Sequence, residues 1–195
     1  APAAGVVANT GDYFFNGNSV FIEYIKQEDG SFTKLPQRNV DFGGGLERIA
    51  AARVGDPDVF KVDLLATVVT QIETLSGHRY EDNLQAFRII TDHIRGAVFM
   101  IGDNVLPSND QQGYFVRRLL RRAVRFADKL AIPAGRFADL AESVITTYAP
   151  HYPILNERRS AIIEAIAREE EQFRKTLEAG LKQFTKISLQ IHLTS

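Results

Sequence analysis

The sequence predicts an α+β chain, a small antiparallel β portion followed by a predominantly helical one. Three observations carry that reading. β-Branched and aromatic residues crowd positions 19–26, a Glu28-Asp29-Gly30 turn signal follows them, and beyond Asp56 apolar residues recur at helical spacing.

The first eighteen residues are small and glycine-rich and follow neither period, so they read as irregular. Val20, Phe21, Ile22, Tyr24 and Ile25 make a strand, and the turn leads into a second extended piece at 32–35, giving a hairpin. A short extended piece at 38–41 then meets Gly43-Gly44-Gly45 and a helix-forming run over 46–53. The next helix carries Phe60, Leu64, Leu65, Val68 and Ile72. Another opens on Asp82-Asn83-Leu84-Gln85, with Asp82 as cap and Gln85 three residues on, and closes at Gly102-Asp103-Asn104. Leu106-Pro107-Ser108-Asn109-Asp110 is a loop, followed by a helix over 112–130. After Ile132-Pro133-Ala134-Gly135 come a helix over 136–148 and a long one over 156–185. That last helix carries Ile162, Ile166, Phe173, Leu177, Leu181 and Phe184, and its mixed charges read as a solvated or interhelical face. The tail, 187–195, alternates apolar and polar residues, the pattern of an edge strand or a frayed end.

At 195 residues and 45% hydrophobic content, one compact domain with an appendage is expected. The net charge of -1 supplies no global attraction for nucleic acid, so such a partner must be argued from local clustering. The absence of cysteine excludes disulfides, thiolate metal ligands and cysteine nucleophiles. No apolar run is long enough for a membrane helix and no secretory signal is evident, so a soluble, cytoplasmic protein without a membrane partner is expected. The chain begins with alanine, and its one methionine is Met100, so the expectation is a segment of something longer. His78, His93, His151 and His192 are scattered and give no metal-ligand spacing, so no metal site is expected. His93 is expected to be satisfied in the core.

Two constellations carry chemistry. In Asp41-Phe42-Gly43-Gly44-Gly45-Leu46-Glu47-Arg48, glycines at a helix start admit a ligand to free backbone N–H groups, and Arg48 adds a planar cation one turn in. That is an anion site, and the same residues also fit a tight turn with Arg48 paired to a nearby acid. The second is Arg117, Arg118, Arg121, Arg122 and Arg125, which fall within an arc of roughly 140° on one helix. Val116, Leu119, Leu120, Ala123, Phe126, Ala127 and Leu130 fall opposite them. No acid lies between Asp110 and Asp128, so no local neighbour neutralises these cations, and phosphate recognition is expected. The rival reading is a structural helix whose arginines bind acids of a partner chain.

These stretches, in their order and spacing, resemble the alanine–tRNA ligases: Val20-Phe21-Ile22-Glu23-Tyr24, the motif from Asp41 to Arg48, Thr91-Asp92-His93-Ile94-Arg95, Pro107-Ser108-Asn109, and the stretch from Gly113 to Arg125. Glu169-Glu170-Glu171-Gln172-Phe173 is similar to that family's helix after the recognition helix. The resemblance implies that residues 1–55 end a class II catalytic domain with its motif 3, that 56–186 form a helical tRNA-recognition domain, and that 187–195 are a tail. It implies ATP binding at Gly43, Gly44, Gly45 and Arg48, alanine binding at Asp41 and Asn18, and contact of Asn109 with the G·U wobble pair of the tRNA acceptor stem. The five arginines would hold stem phosphates. The parent reaction uses ATP with Mg2+ to attach alanine to tRNA. Motifs 1 and 2 are not in the sequence, which implies that the remainder of the catalytic domain is a partner and that the isolated chain is inactive and needs no cofactor. A departure from the family is Phe15-Asn16-Gly17, where the family has an acid, isoleucine and tryptophan. The alternative is a stand-alone RNA-binding or regulatory module, derived from the ligase and using no ATP.

Overall fold

A computed structural model describes residues 16–194, with side chains through residue 186. The irregular reading of the first residues lies outside them for residues 1–15, as does the end of the tail at Ser195, and it is corrected at Gly17 and Asn18, which open a strand. The chain divides into two units, residues 1–62 and 63–195.

In the first unit, β1 (Gly17–Lys26) pairs antiparallel with β2 (Phe32–Gly44) in a two-stranded ribbon. The hairpin expected from the sequence is present, but its second strand is continuous where two short pieces were expected. Pro36 is the reason the sequence looks interrupted, since it cannot donate to a ladder. Ile22 pairs with Asn39 and Tyr24 with Lys34, so β2 bulges across the Pro36 segment and then resumes pairing. At the turn Gly30 adopts φ +85°, and Asp29 accepts bonds from the Ser31 amide and hydroxyl. Those bonds hold the Asp29 carboxyl below its ordinary range. Helix α1 (Leu46–Val54) follows directly and stops at Gly55 in the left-handed region. A 3-10 turn at Val59–Lys61 then takes up Phe60, which the periodicity had assigned to the next helix.

The second unit is all helical: α2 (Asp63–Ser76), α3 (Leu84–Gly102), α4 (Gln111–Lys129), α5 (Ala138–Tyr148), α6 (Pro153–Glu157) and α7 (Arg159–Thr194). Helix α3 is the hub, touching α2, α4, α5, α6 and α7. It can do so because Phe87, Ile90, Ile94, Ala97 and Val98 are fully buried and wrap most of its circumference. Val116, Leu120 and Ala123 of α4, Leu140 and Val144 of α5, and Ile162 and Ile166 of α7 complete the core.

Three boundaries differ from the sequence reading. The cap of α3 is Asn83 rather than Asp82, and no side chain caps it; its carbonyl alone accepts from Ala86 and Phe87. The long last helix is divided at Arg158, whose guanidinium donates to the Gly102 carbonyl and to Asn104 Oδ1, closing the C-terminal end of α3. The tail is not an edge strand, because α7 continues as helix to Thr194.

The units differ in how deeply they bury their aromatics. Phe87 is fully buried, whereas Phe21 on the ribbon is 80% exposed. Phe87→Ala should cost about 3–5 kcal/mol of stability, while Phe21→Ala should change it by less than roughly 0.5 kcal/mol. Urea denaturation of both variants measures the difference, and equal losses would contradict this division of the core.

Candidate functional site

In the ribbon, the antiparallel register decides which side chains share a face. Asn18 pairs with Gly43 and Val20 with Asp41, so Asn18 and Asp41 are diagonal neighbours on one face, both exposed. Sequence spacing alone does not reveal this, since the two are far apart along the chain. Gly43 and Gly44 belong to β2, opposite Asn18 and Gly17, and only Gly45 forms the junction to α1. The glycine turn expected over three residues is therefore confined to one. Gly45 caps α1 with no side-chain cap among the described residues, and the positive end of the helix dipole lies at this junction. The aliphatic stem of Arg48 folds back over Gly45, where an added Cβ would meet Arg48 Cδ at 3.1 Å.

The second constellation is built on α4. This helix is amphipathic because Val116, Leu120, Ala123, Val124 and Ala127 recur on one side and are buried. The five arginines occupy the rest, and the structure divides them. Arg118, Arg122 and Arg125 are exposed and have no acidic partner among the described residues. Tyr114 and Phe115, 47% and 59% exposed, continue that face toward the start of the helix.

Arg117 and Arg121 face α7 instead. Arg121 Nε donates to Glu169 Oε1 at 2.7 Å, and Arg117 Nε lies 3.4 Å from Glu169 Oε2 as an ion pair. The Arg121 guanidinium also lies over the Phe173 ring, 5.4 Å from its centroid. The expectation that no acid neutralises the stripe is corrected for these two: the acid comes from another helix, far along the chain. Glu169 and Glu170 are themselves buried, so at these positions α7 presents the interhelical of the two faces that its mixed charges allow. Glu170 accepts from Arg174 Nε at 2.9 Å and from the Gly135 amide at 3.2 Å, while Arg174 also pairs with Asp128.

A signal for Glu169 was present in the sequence. Ile162, Ile166 and Phe173 leave a seven-residue gap in the apolar stripe of α7, and Glu169 stands within it at three residues from Ile166 and four from Phe173. An acid on an apolar stripe requires a buried cation opposite it, and α4 supplies two.

Asn109 belongs to the loop before α4, exposed, with Oδ1 accepting from Arg117 Nη1. The loop closes on the helix through Ser108, whose amide donates to the Gly113 carbonyl at 3.1 Å and whose hydroxyl donates to the Asp110 carbonyl at 2.8 Å. Gly113 permits this approach, since an added Cβ would lie 2.2 Å from Ser108 Oγ and 2.4 Å from the Leu106 carbonyl oxygen. On α3, His93 Nδ1 bonds its own neighbour, Asp92 Oδ2, at 3.0 Å, and its Nε2 is buried without a partner. The histidine holds the Asp92 carboxyl below its ordinary range. Among the described residues no cluster of histidine and carboxylate side chains is placed to hold a metal ion.

The profile of the class II (A) tRNA synthetases matches residues 3–192. The chain is 42% identical over 188 residues to an alanine–tRNA ligase of Borreliella afzelii (strain PKo), covering 94% of this chain and 32% of that protein. It is 38% identical over 191 residues to the alanine–tRNA ligase of Borrelia hermsii (strain HS1 / DAH), covering 95% of this chain and 32% of the relative. With the alanine–tRNA ligase of Bacillus subtilis (strain 168) the identity is 41% over 167 residues, 84% of this chain and 19% of the relative. The chain thus spans about a third to a fifth of the length of these curated relatives.

Gly113→Ala should push the 106–110 loop off the start of α4, because backbone rather than a flexible side-chain tip stands in the way. A loss of roughly 1–3 kcal/mol is expected, with faster amide hydrogen exchange confined to the loop and the first turn of α4. Unchanged exchange there would show that the loop tolerates the methyl group.

Proposed function

Because the chain belongs to the class II tRNA synthetases, we propose that it is the part of an alanine–tRNA ligase that grips the tRNA acceptor stem. In the parent enzyme alanine is joined to tRNA at the expense of ATP with Mg2+. The observation that carries this reading is the exposed face of Arg118, Arg122 and Arg125, cations without acidic partners among the described residues, with Asn109 at the helix start.

On this reading the three exposed arginines meet stem phosphates, which fix register without reading sequence. Arg117 and Arg121, paired with Glu169, support them from inside rather than meeting phosphate themselves. Asn109 reads the G·U wobble pair from the wide minor groove of A-form RNA. Tyr114 and Phe115 add flat apolar surface suited to ribose or an unpaired base.

The ribbon and α1 carry the nucleotide side of the parent reaction. Gly45 and the positive end of the α1 dipole suit an ATP phosphate, with Arg48 one turn in and Gly43 and Gly44 leaving the adjoining strand end without side chains. Asp41, beside Asn18, suits the alanine ammonium. The exposed apolar ribbon, including Phe21, Val40 and Phe42, fits cover by the remainder of a catalytic domain.

We propose further that these residues alone do not activate alanine, since Asp41, Asn18 and Arg48 are all exposed and electrostatic catalysis needs a water-excluded site. Alanine-dependent ATP–pyrophosphate exchange should not rise above a protein-free blank. Clear exchange would overturn that statement and disfavour a stand-alone module that uses no ATP.

Binding of an acceptor-stem microhelix should weaken steeply with salt as counterions are released. Arg118→Ala and Arg122→Ala should weaken G·U and G·C stems equally and flatten the salt slope by about one unit per lost contact. Asn109→Ala should cost about 1–3 kcal/mol of discrimination between the two stems. Arginine variants that melt like the parent chain and bind with the same affinity and slope would remove RNA from the account and favour an acidic protein partner.

A further inference from the structure

We infer that Glu169 is a positioning residue for stem recognition: acting through Arg117, it fixes which end of the Asn109 amide faces the RNA. The inference rests on the acceptor-stem reading and deepens it. Among the described residues the Asn109 side chain has one hydrogen-bond partner, Arg117 Nη1. The neighbouring backbone is held by Ser108, but nothing else orients the amide.

The chemistry of the pair removes any ambiguity about orientation. A guanidinium has only donors, so it takes the amide oxygen and leaves Nδ2, with its two N–H groups, facing outward. Asn109 therefore offers a donor, which suits the acceptors that bases present in the minor groove, purine N3 and pyrimidine O2. A wobble pair displaces the pyrimidine O2 from its position in a G·C pair, so a donor fixed in place can tell the two apart. A freely rotating amide could adapt to either.

Arg117 needs an anchor of its own. Its side chain is 17% exposed, and beside it lies a cleft of about 140 Å³ lined by Leu106, Pro107, Arg168 and Gln172, into which it could swing. Glu169, 5% exposed, holds it by charge: Oε1 accepts from Arg121 Nε, and Oε2 faces Arg117 Nε at 3.4 Å as an ion pair without hydrogen-bond geometry. A carboxylate can serve both at once. The neutral carboxamide of glutamine would keep the 2.7 Å bond to Arg121 through its one acceptor and leave Arg117 without its counter-charge.

The test compares G·U and G·C acceptor microhelices bound to the full chain, with E169Q, R117K, N109A, the double variant E169Q/N109A and E164Q. R117K keeps the charge facing Glu169, but a single ammonium cannot reproduce the fork that spans Glu169 and Asn109. E164Q alters an exposed ion pair with Arg168 on the same helix and should leave the preference unchanged. E169Q and R117K should reduce the affinity ratio between the stems to within about twofold of one, the loss expected when a good base contact is released. N109A added to E169Q should change the ratio no further, because both act on one contact. If E169Q melts far below the parent chain, its ratio is read at a temperature where the folded fraction is retained, and R117K tests the Arg117 link through which Glu169 acts. Persistence of the full preference in either folded variant, while N109A abolishes it, overturns the inference and leaves the stem reading standing. A parent chain that binds both stems equally removes the reading of Asn109, and this inference with it.

Discussion

One buried carboxylate organises the helical unit. Glu169 lies where the apolar stripe of α7 would otherwise continue, and its two oxygens face Arg121 and Arg117 of α4. A buried charge is tolerable only when paired, and loss of one partner in such a pair costs about 3–5 kcal/mol. The pairing therefore acts as a register lock more than as a source of net stability. Sliding α7 by one turn against α4 would leave Glu169 against apolar side chains and both arginines without their acid. The exposed ion pairs along α7, such as Lys175 with Glu171, carry no comparable constraint because water competes for both partners.

A second network sets the far end of the same helix pair. Glu170 holds Arg174 and the Gly135 amide, and Arg174 reaches Asp128 near the end of α4. Adjacent acids on α7 thus clamp different parts of its neighbours: Glu169 the middle of α4, Glu170 the turn that follows it. Between them α4 has little freedom to roll, and its solvent face is fixed by contacts made on the opposite side. The ribbon has no such fixing. Val20, Phe21 and Ile22 are consecutive apolar residues, the pattern of a strand covered on both faces, yet all three are exposed among the described residues.

Most of the helical unit was legible because its signals are local. Period, glycine and proline punctuation found α3, α4 and α5 to within a few residues. The missed boundaries have tertiary causes: Arg158 leaves the helical path where its side chain closes α3, and Asn83 caps α3 with its carbonyl where a side-chain cap was expected from the sequence. Pro36 made β2 look like two pieces because a bulge rescues a strand only when a partner strand is present to pair again beyond it. The arginines were visible as a stripe, but their division was not. Local neutralisation can be checked by reading a few residues either way, whereas Glu169 lies 48 positions from Arg121.

That division is a consequence of helix geometry. Arg117 and Arg121 are four apart, as are Arg118 and Arg122, so each pair points one way, and a shift of one residue turns the second pair about 100° from the first. With α7 lying against the first pair, the second is left to solvent. A doubled Arg-Arg repeat thus does two tasks on one helix: one member of each doublet binds the protein's own acid, and the other remains available to an external polyanion. The outer face is uncompensated among the described residues because it turns away from α7 and its acids. A stripe of five equal cations would bind phosphate more strongly but would leave the helix free to choose its own roll. Here positive charge has been partly spent on orientation, and what remains is held in one place.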